Sequence, residues 1–502
     1  MTAVRDSNVI LGSWPTDQAP TLSVPGLLAE MDRLGIGEAL VRHADAVNYD
    51  PAIGNTALLA AVAEQPRLRP AFVVGPLDCG EHGGPAGLAD QLTAHRVSAA
   101  WIYPTRHGWQ VAGPEATTLL GELRRAGLPL FVDLDECGWS DIDVLARNLP
   151  DVDIVVCGIG YRTLRQAFAV LGEHPRVRLD TSFLSAHNGL ELIAARFGVD
   201  RLVFGSGAPV RDAAGAVYRL ATSGLTDAQR NAVSGDVLTA PEAATPAGGI
   251  VDAHAHIGAW PSSFAPDATD DALITGMDRT GTAVAIASSM RALWSGEVRT
   301  GNTEMLAAAQ RHPGRLYGYA VANPHFPQDR HHLDELLDRD EMRGIKIHPH
   351  THGCALDDPR YDWICELAAA HGVPVLAHTF ADTWHSDPRL LGPLAARHPA
   401  VAFIAGHAGA SAGGFRTTIE IGNRQPNVHA EICGSAMTGW WLRRIVDGLG
   451  ADRVLHGTDA TLIDPRYAVG RLVRADLLPE ERALIAAGNA RRLFRLTLHP
   501  PH

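Results

Sequence analysis

The apolar residues of this chain fall into short runs separated by amphipathic stretches. In the second half, runs of strand length occur at AIASSM, LYGYAVANP, GIKIHP, PVLAHTF, VAFIAGH, VHAEICG and RVLHGTDA. Between them lie segments such as DPRYDWICELAAAHG, whose apolar positions have helical spacing. This alternation predicts a parallel (β/α) barrel with active-site residues at the C-terminal strand ends. An open doubly wound sheet fits less well, because no glycine-rich phosphate loop follows any strand.

The chain repeats itself in constant order. Trp14-Pro15 recurs as Trp260-Pro261, 246 residues later, and Gly54-Asn55 recurs as Gly301-Asn302. GVDRLVFGSGA in the first half likewise matches GADRVLHGTDA in the second. A repeat of this length indicates two copies of one fold and not a solenoid, whose units recur every few tens of residues.

We therefore predict an α/β protein with two tandem (β/α)8 TIM-barrel-like domains. The first covers residues 1–240, the second covers residues 250–502, and a Pro/Ala/Gly-rich linker at 241–249 joins them. Of the 24 histidines, only six lie before residue 250, although the halves otherwise match. This asymmetry indicates that function is concentrated in the second copy.

Composition narrows the range of partners and locations. The formal charge of −13 is spread without a basic stripe, which argues against nucleic acid as a partner. No run of 18 apolar residues and no secretory signal pattern occurs, so we expect no membrane insertion and a cytoplasmic location. The six cysteines show no CxxC spacing, which is typical of reduced thiols.

Side chains that can bind a metal end the strand-like runs of the second copy. His254 and His256 lie two residues apart, so both can face the barrel axis. His378 ends PVLAH, His407 ends VAFIAGH, and Asp459 ends RVLHGTD. Burying such groups without partners would cost about 1–3 kcal/mol each, which favours a shared ion or water. Two structural histidines are the alternative for the HxH pair taken alone.

These motifs, in this order and with a closing GNARRLF, resemble the amidohydrolase superfamily from about Val251 to Phe494. The resemblance is to its amidohydrolase-related (amidohydrolase 2) branch, which includes hydrolases, lactonases, hydratases and non-oxidative decarboxylases. It implies one divalent ion per chain, Zn²⁺ or another metal. The ligands it implies are His254, His256, His378 and Asp459, while His407 hydrogen-bonds the metal-bound water or the substrate.

Lys346 and His348 follow each other on one face of the GIKIHP run. A strand-four lysine in the broader superfamily can be carbamylated to bridge two metals. GIKIHP instead resembles the mononuclear branch, where Lys346 would neutralise the acidic centre or pair with a substrate carboxylate. We take both residues as catalytic candidates, His348 lying closer to the barrel mouth.

Other residues near the strand ends are weaker candidates for the site. His350 and His352 read as solvated surface histidines, and Trp384, whose counterpart is Trp139, is expected to pack. Glu431 and Cys433 end strand seven, but an acidic residue at the matching Asp180 favours a structural role. Three arginines are candidates for binding a substrate anion, although most arginines in proteins are simply exposed at the surface. They are Arg291, Arg299 and Arg416.

The first copy has lost every proposed ligand. His254 and His256 align with Asn8 and Ile10, Lys346 and His348 with Trp101 and Tyr103, His378 with Asp133, His407 with Gly158, and Asp459 with Gly207. Ile10 and the two glycines cannot ligate through side chains, so we predict no zinc there. The first copy is thus expected to be a pseudo-enzyme domain. Because relatives are often homodimers, the chain resembles such a dimer fused into one polypeptide, an intramolecular pseudo-dimer.

A small molecule is the expected substrate. Metal-activated water would hydrolyse an amide, lactone or ester, with Asp459 as general base and His407 polarising the carbonyl. The alternative is non-oxidative decarboxylation or hydration of a small aromatic carboxylate at the same metal site. A non-catalytic binding protein would require the second ligand set to be degenerate too, and it is intact.

Overall fold

The computed structural model describes residues 3–236 and 249–496. The chain divides into two compact units, Met1–Pro241 and Glu242–His502, each with its own eight-stranded parallel sheet. Both units are (β/α)8 TIM barrels, which confirms the predicted fold class. Of the predicted linker, only Gly249 lies among the described residues.

Eight strands run in order around each barrel. In the first they are β1 (Arg5–Leu11), β2 (Glu38–His43), β3 (Leu68–Val73), β4 (Ala99–Ile102), β5 (Leu130–Asp133), β6 (Ile154–Cys157), β7 (Val177–Asp180) and β8 (Leu202–Val203). In the second they are β9 (Ile250–Ile257), β10 (Thr282–Ser289), β11 (Leu316–Val321), β12 (Met342–Ile347), β13 (Val375–His378), β14 (Phe403–Gly406), β15 (Val428–Glu431) and β16 (Val454–Leu455).

Helices alternate with the strands. Those of the first unit are α1 (Val24–Leu34), α2 (Ala44–Asn48), α3 (Pro51–Val62), α4 (Gly84–Ala94), α5 (Pro104–His107), α6 (Ala116–Ala126), α7 (Trp139–Asn148), α8 (Leu164–Glu173), α9 (Gly189–Phe197), α10 (Ala213–Ala221) and α11 (Asp227–Ser234). Those of the second are α12 (Asp270–Thr280), α13 (Met290–Trp294), α14 (Val298–Arg311), α15 (Arg330–Leu337), α16 (Pro349–His352), α17 (Asp362–His371), α18 (Leu391–Arg397), α19 (Ala412–Arg424), α20 (Gly439–Leu449), α21 (Pro465–Arg474), α22 (Pro479–Ala483) and α23 (Asn489–Phe494). Within the described ranges, none of these helices has the length and apolar composition needed to cross a bilayer.

Each barrel closes where its first strand meets its last. In the second unit, the Ala253 amide donates to the His456 carbonyl at 2.9 Å, and in the first unit the Ser7 amide donates to the Phe204 carbonyl at 2.9 Å. The first strand also carries a bulge against its neighbour. Three residue steps on β9, from Asp252 to Ala255, oppose two on β10. β1 repeats this bulge against β2. Such bulges re-aim side chains beside active sites, and the bulge in β9 contains His254.

A buried aspartate fixes the same junction in both barrels. Asp252 Oδ1 accepts from the His254 amide at 3.0 Å and from the Thr458 amide at 3.1 Å. Asp6 Oδ1 accepts from the Asn8 amide at 3.0 Å and from the Ser206 amide at 2.8 Å. Burial raises the pKa of Asp252 to about 7 and that of Asp6 to about 6. In the second barrel this contact ties the HxH segment to the segment that carries Asp459.

An apolar layer supports the polar strand ends of the second barrel from below. Side chains of β9, β10, β11, β13, β14 and β16 pack together with α23, whose Phe494 lies 5.7 Å from the Tyr319 ring. The members include Val251, Ile286 and Ile404. The barrel interior is thus a packed core up to the level of the histidines, as in other TIM barrels.

The repeated Gly-Asn pair serves the fold. Asn302, on α14, donates to the Val321 carbonyl at 2.9 Å and accepts from the Val321 amide at 2.8 Å. Asn55, on α3, makes the same two bonds to Val73 at 2.8 and 3.0 Å. A Cβ on Gly301 would lie 2.3 Å from the Ala292 backbone nitrogen, so a side chain there would displace α13. The repeat at these positions therefore preserves helix-to-strand packing.

Replacing Asn302 or Asn55 with alanine should lower the free energy of unfolding of its own barrel by about 2 kcal/mol. The reason is that a buried backbone N–H and C=O would each lose a partner. The measurement is urea unfolding of the full chain. The next residue in each copy, Thr303 or Thr56, is exposed and provides a matched alanine control with little effect. Equal losses for the asparagine and threonine variants would contradict this account.

Candidate metal centre

Three of the four proposed ligands converge at the C-terminal end of the second barrel. His256 Nε2 lies 3.0 Å from Asp459 Oδ1, and His254 Nε2 lies 4.0 Å from the same oxygen. All three side chains are buried. Two imidazole nitrogens and a carboxylate oxygen are the donors that Zn²⁺ and similar ions take in proteins, so these residues fit such an ion.

The tautomer of His254 is set by Glu431. His254 Nδ1 donates to Glu431 Oε2 at 2.7 Å, which leaves Nε2 as the nitrogen that carries the lone pair. Glu431 is fully buried at the end of β15 and also accepts from the His407 amide at 3.0 Å. Carboxylates that orient ligating histidines in this way are typical of metal sites. The sequence favoured a purely structural role for Glu431. The structure shows that Glu431 also contacts a candidate ligand, His254.

Ser288 orients the second histidine. Its Oγ lies 2.9 Å from His256 Nδ1, and the serine is fully buried on β10. The hydrogen bond leaves His256 Nε2 facing Asp459. Sequence analysis missed Ser288, because a serine in an apolar run carries no metal-site signal without its long-range partner.

Lys346 lies within the same group. Its Nζ donates to His254 Nε2 at 2.9 Å from a fully buried position on β12. Burial lowers the pKa of Lys346 to about 8, against the raising effect of nearby Asp459. A lysine of this kind changes its charge near neutral pH, and it is the only lysine of the chain.

His348, His378 and His407 form a second tier beside these residues. His407 Nε2 lies 3.1 Å from His378 Nδ1, and the His378 ring stacks on His348 with centroids 3.9 Å apart. Burial lowers the pKa of His407 to about 3 and lowers the pKa of the other two. All three rings are therefore neutral near pH 7, the form that can ligate or accept a proton.

Cys433 offers a different grouping of donor atoms. One atom from each of His254, His407, Cys433 and Asp459 lies within 4.8 Å of the others. Cys433 Sγ is 3.3 Å from His254 Nδ1, the nitrogen committed to Glu431, and 2.9 Å from His407 Nδ1. The thiol thus lies on the Nδ1 side of His254, away from the Nε2 that faces Asp459.

Aromatic rings lead from the barrel mouth to these histidines. The Trp260 and Trp294 centroids are 5.6 Å apart, and Trp294 lies 5.8 Å from the His348 ring. On the far side of the histidine stack, Phe380 lies 6.2 Å from His378 and is 39% exposed. We refer to Trp260, Trp294, His348, His378 and Phe380 as the aromatic run.

Comparison with known proteins bears on this arrangement. The amidohydrolase family model matches residues 17–236 and again residues 251–496. The chain belongs to the amidohydrolase family. Membership identifies it as an enzyme, and both barrels as members of one family.

Several solved structures resemble half of the chain. The 5-carboxyvanillate decarboxylase of Sphingomonas paucimobilis is 17% identical, with 50% of this chain and 100% of that chain covered and a TM-score of 0.40. The 2,6-dihydroxybenzoate decarboxylase of Rhizobium is 19% identical (49% and 99%, TM-score 0.42). A putative 2-pyrone-4,6-dicarboxylic acid hydrolase of Pseudomonas putida is 18% identical (50% and 99%, TM-score 0.41). No curated protein matches the chain. These levels of similarity assign no substrate.

Within the first amidohydrolase barrel, the aligned positions carry no equivalent ligand set. Across residues 3–236, no three His, Cys, Asp or Glu side chains come close enough to hold one ion. The other such group lies in the second unit, on its surface, and consists of Asp270, Asp271 and His312. Asp270 there is already paired with Arg311 at 2.8 Å.

Some peripheral predictions were wrong. Trp384 is 85% exposed, so it does not pack as expected. His352 is buried, and neither ring nitrogen has a hydrogen-bond partner among the described residues, whereas a solvated residue was expected. Arg291 and Arg299 pair with Glu304 and Asp329, each at 2.6 Å, and so are engaged outside the centre. Arg416 is exposed, as is His350, which agrees with its predicted surface position.

Two of the candidate residues occupy strained backbone positions. His407 has φ of 61° and Asp459 has φ of 63°, in the left-handed region that disfavours side chains. Their counterparts in the first barrel are Gly158 and Gly207, with φ of 76° and 70°. The backbone of both barrels thus has positive φ at these two positions. The first barrel has glycine there, whereas the second has a histidine and an aspartate. Strain held in this way is typical of active sites.

Replacing His407 with glycine should therefore give a more stable protein than replacing it with alanine, by about 1 kcal/mol. Both variants lose the imidazole, so their difference isolates the backbone strain. The measurement is the urea unfolding of the second barrel in the full chain. Ala405→Gly, in the regular part of β14, is the control and should lower stability. An alanine variant at least as stable as the glycine variant would contradict the strain argument.

Proposed function

We propose that the second barrel is a metal-dependent enzyme that removes CO₂ from small aromatic carboxylates. The observation that carries the proposal is the aromatic run, in which the Trp294 ring lies 5.8 Å from the His348 ring at an angle of 58°. His348 in turn stacks on His378, one of the proposed donors. A planar aromatic substrate can lie against such rings, with a preference for offset stacking. Hydrolysis, the reaction that sequence favoured, gives no reason for a ring-lined approach.

The activities of similar solved structures support the same choice. Several of them are decarboxylases of hydroxylated benzoates, and three contain manganese. The donor set proposed here, His254, His256, His378 and Asp459, contains neutral imidazoles and one carboxylate. Such a set accepts Zn²⁺ or Mn²⁺, and we propose a single ion per chain. A bound divalent ion would act as a Lewis acid on a substrate oxygen.

The chain's own residues would then handle the proton. Decarboxylation replaces a C–CO₂⁻ bond with C–H, so one proton must reach the ring carbon in each turnover. Asp459, whose Oδ1 lies 3.0 Å from His256 Nε2, is the carboxyl group at the centre and is proposed to relay that proton to the ring carbon. His407 and His348 orient the substrate, and Lys346 balances its negative charge.

The test is turnover by the full chain, stripped of metal and reloaded with Zn²⁺ or Mn²⁺. Substrates are 2,6-dihydroxybenzoate, 5-carboxyvanillate and a 2-pyrone-4,6-dicarboxylate lactone. We expect metal-dependent release of CO₂ from a hydroxybenzoate. Asp459→Asn should reduce kcat by about 10² or more, and Trp294→Leu should chiefly raise KM.

His350→Ala is the control, since that histidine is exposed beside the site, and it should leave both constants unchanged. Lactone hydrolysis without CO₂ release would overturn decarboxylation in favour of the hydrolase. Turnover unaffected by removing the metal would overturn both.

A further inference from the structure

The first barrel has a cation at its centre in place of a metal. Arg42 lies on β2, where its position matches Ser288 on β10: Arg42 pairs with Ile10, and Ser288 pairs with His256. The arginine is 5% exposed, so its guanidinium lies inside the barrel. A buried arginine is costly unless its donors and its charge are satisfied.

The guanidinium contacts the counterparts of the second barrel's site residues. Arg42 Nη1 donates to Asn8 Oδ1 at 2.8 Å, and Nε donates to the Tyr103 hydroxyl at 2.7 Å. Its Cζ lies 3.6 Å from the centre of the Trp101 ring. Asn8, Tyr103 and Trp101 align with His254, His348 and Lys346. The positive charge thus lies where the second barrel gathers its metal donors.

Asn8 reproduces both contacts of His254. Its Nδ2 donates to Asp180 Oδ1 at 3.4 Å, as His254 Nδ1 donates to Glu431. Its Oδ1 accepts from the guanidinium and so corresponds to His254 Nε2, the nitrogen that would bind the proposed ion. The amide therefore takes the place of the imidazole, and Arg42 takes the place of the cation.

Arg42 forms no direct ion pair inside the described part of the barrel, although its charge acts to lower the pKa of the buried Asp180. Among residues 3–236, no carboxylate oxygen lies within 4.0 Å of its nitrogens. Asp180 binds Ser182 instead, and burial raises its pKa. Asp133, the counterpart of His378, accepts from the Asp135 amide at 3.0 Å. An anion from outside could therefore pair with the guanidinium.

Two donors remain for such an anion. Nη2 of Arg42 makes no hydrogen bond with any described residue and is not completely excluded from solvent, although the residue as a whole is 5% exposed. The Tyr103 hydroxyl accepts from Arg42 Nε, and its own proton has no acceptor among the described residues. Burial raises the pKa of Tyr103 to about 12, so the proton is retained. Nη2 and Nε share one edge of the planar guanidinium, which places these donors side by side.

We propose that the first barrel binds a small carboxylate, without metal, between Arg42 Nη2 and the Tyr103 hydroxyl. One carboxylate oxygen accepts from each donor. The first barrel is then a binding domain and not only a scaffold. This site requires neither the metal nor the reaction proposed for the second barrel.

The test is calorimetric titration of the full chain with benzoate, in the presence of a chelator and in a His254→Ala/His256→Ala background. One site should bind. Arg42→Gln and Tyr103→Phe should each weaken binding by about tenfold or more, since each removes a charged or polar donor. Asn8→Asp should abolish binding, because it keeps the shape of Asn8 but supplies the guanidinium with an internal carboxylate.

Arg147→Gln, at an exposed arginine of the same barrel, is the matched control and should leave the affinity unchanged. If Arg42→Gln does not fold, Tyr103→Phe and Asn8→Asp still decide the outcome. Absence of benzoate binding would overturn the proposal. So would binding that survives Asn8→Asp.

Discussion

Both barrels depend on one buried carboxylate that ties the first strand to the segment after the last. In the second barrel it is Asp252, which accepts from the His254 and Thr458 amides. His254 and Asp459 come from opposite ends of the domain sequence, and this contact holds both beside one point. Two backbone amides donate to one Asp252 oxygen, so the strand and the segment stay joined although burial raises the pKa of this group to about 7. Asp6 does the same in the first barrel, where no metal donors need positioning. The contact therefore belongs to barrel closure in both units. In the second barrel it also positions the candidate metal ligands.

The two barrels share one backbone fold but have different side chains at its centre. In the second barrel, His407 and Asp459 have positive φ, so these candidate functional side chains come with backbone strain. The first barrel has glycine at both positions. The second arranges neutral imidazoles around a place for a cation, and the first puts the guanidinium of Arg42 there. Loss of a ligand set need not leave an empty centre, because the surrounding polar groups still require a partner.

Periodicity and repetition were enough to predict the barrels. Strand runs ending in His378, His407 and Asp459 showed where polar groups would gather, because parallel strands end at one face. The family was recognised from the same motifs. What sequence could not provide were contacts between distant strands: Glu431 with His254, and Ser288 with His256. Trp384 and His352 were misjudged because burial in loops depends on the packing of neighbouring segments. Arg42 did leave a signal, a charge inside the apolar run ALVRH, but its meaning depends on Asn8 and Tyr103.

The central claim is that the second barrel alone holds a metal ion. Its most direct test is metal analysis of the full chain after reconstitution with Zn²⁺ or Mn²⁺ and removal of loose ions. The account predicts close to one ion per chain, lost in a His254→Ala/His256→Ala variant and kept in an Asn8→Ala variant. Two ions per chain, or one ion that survives the loss of both histidines, would contradict it.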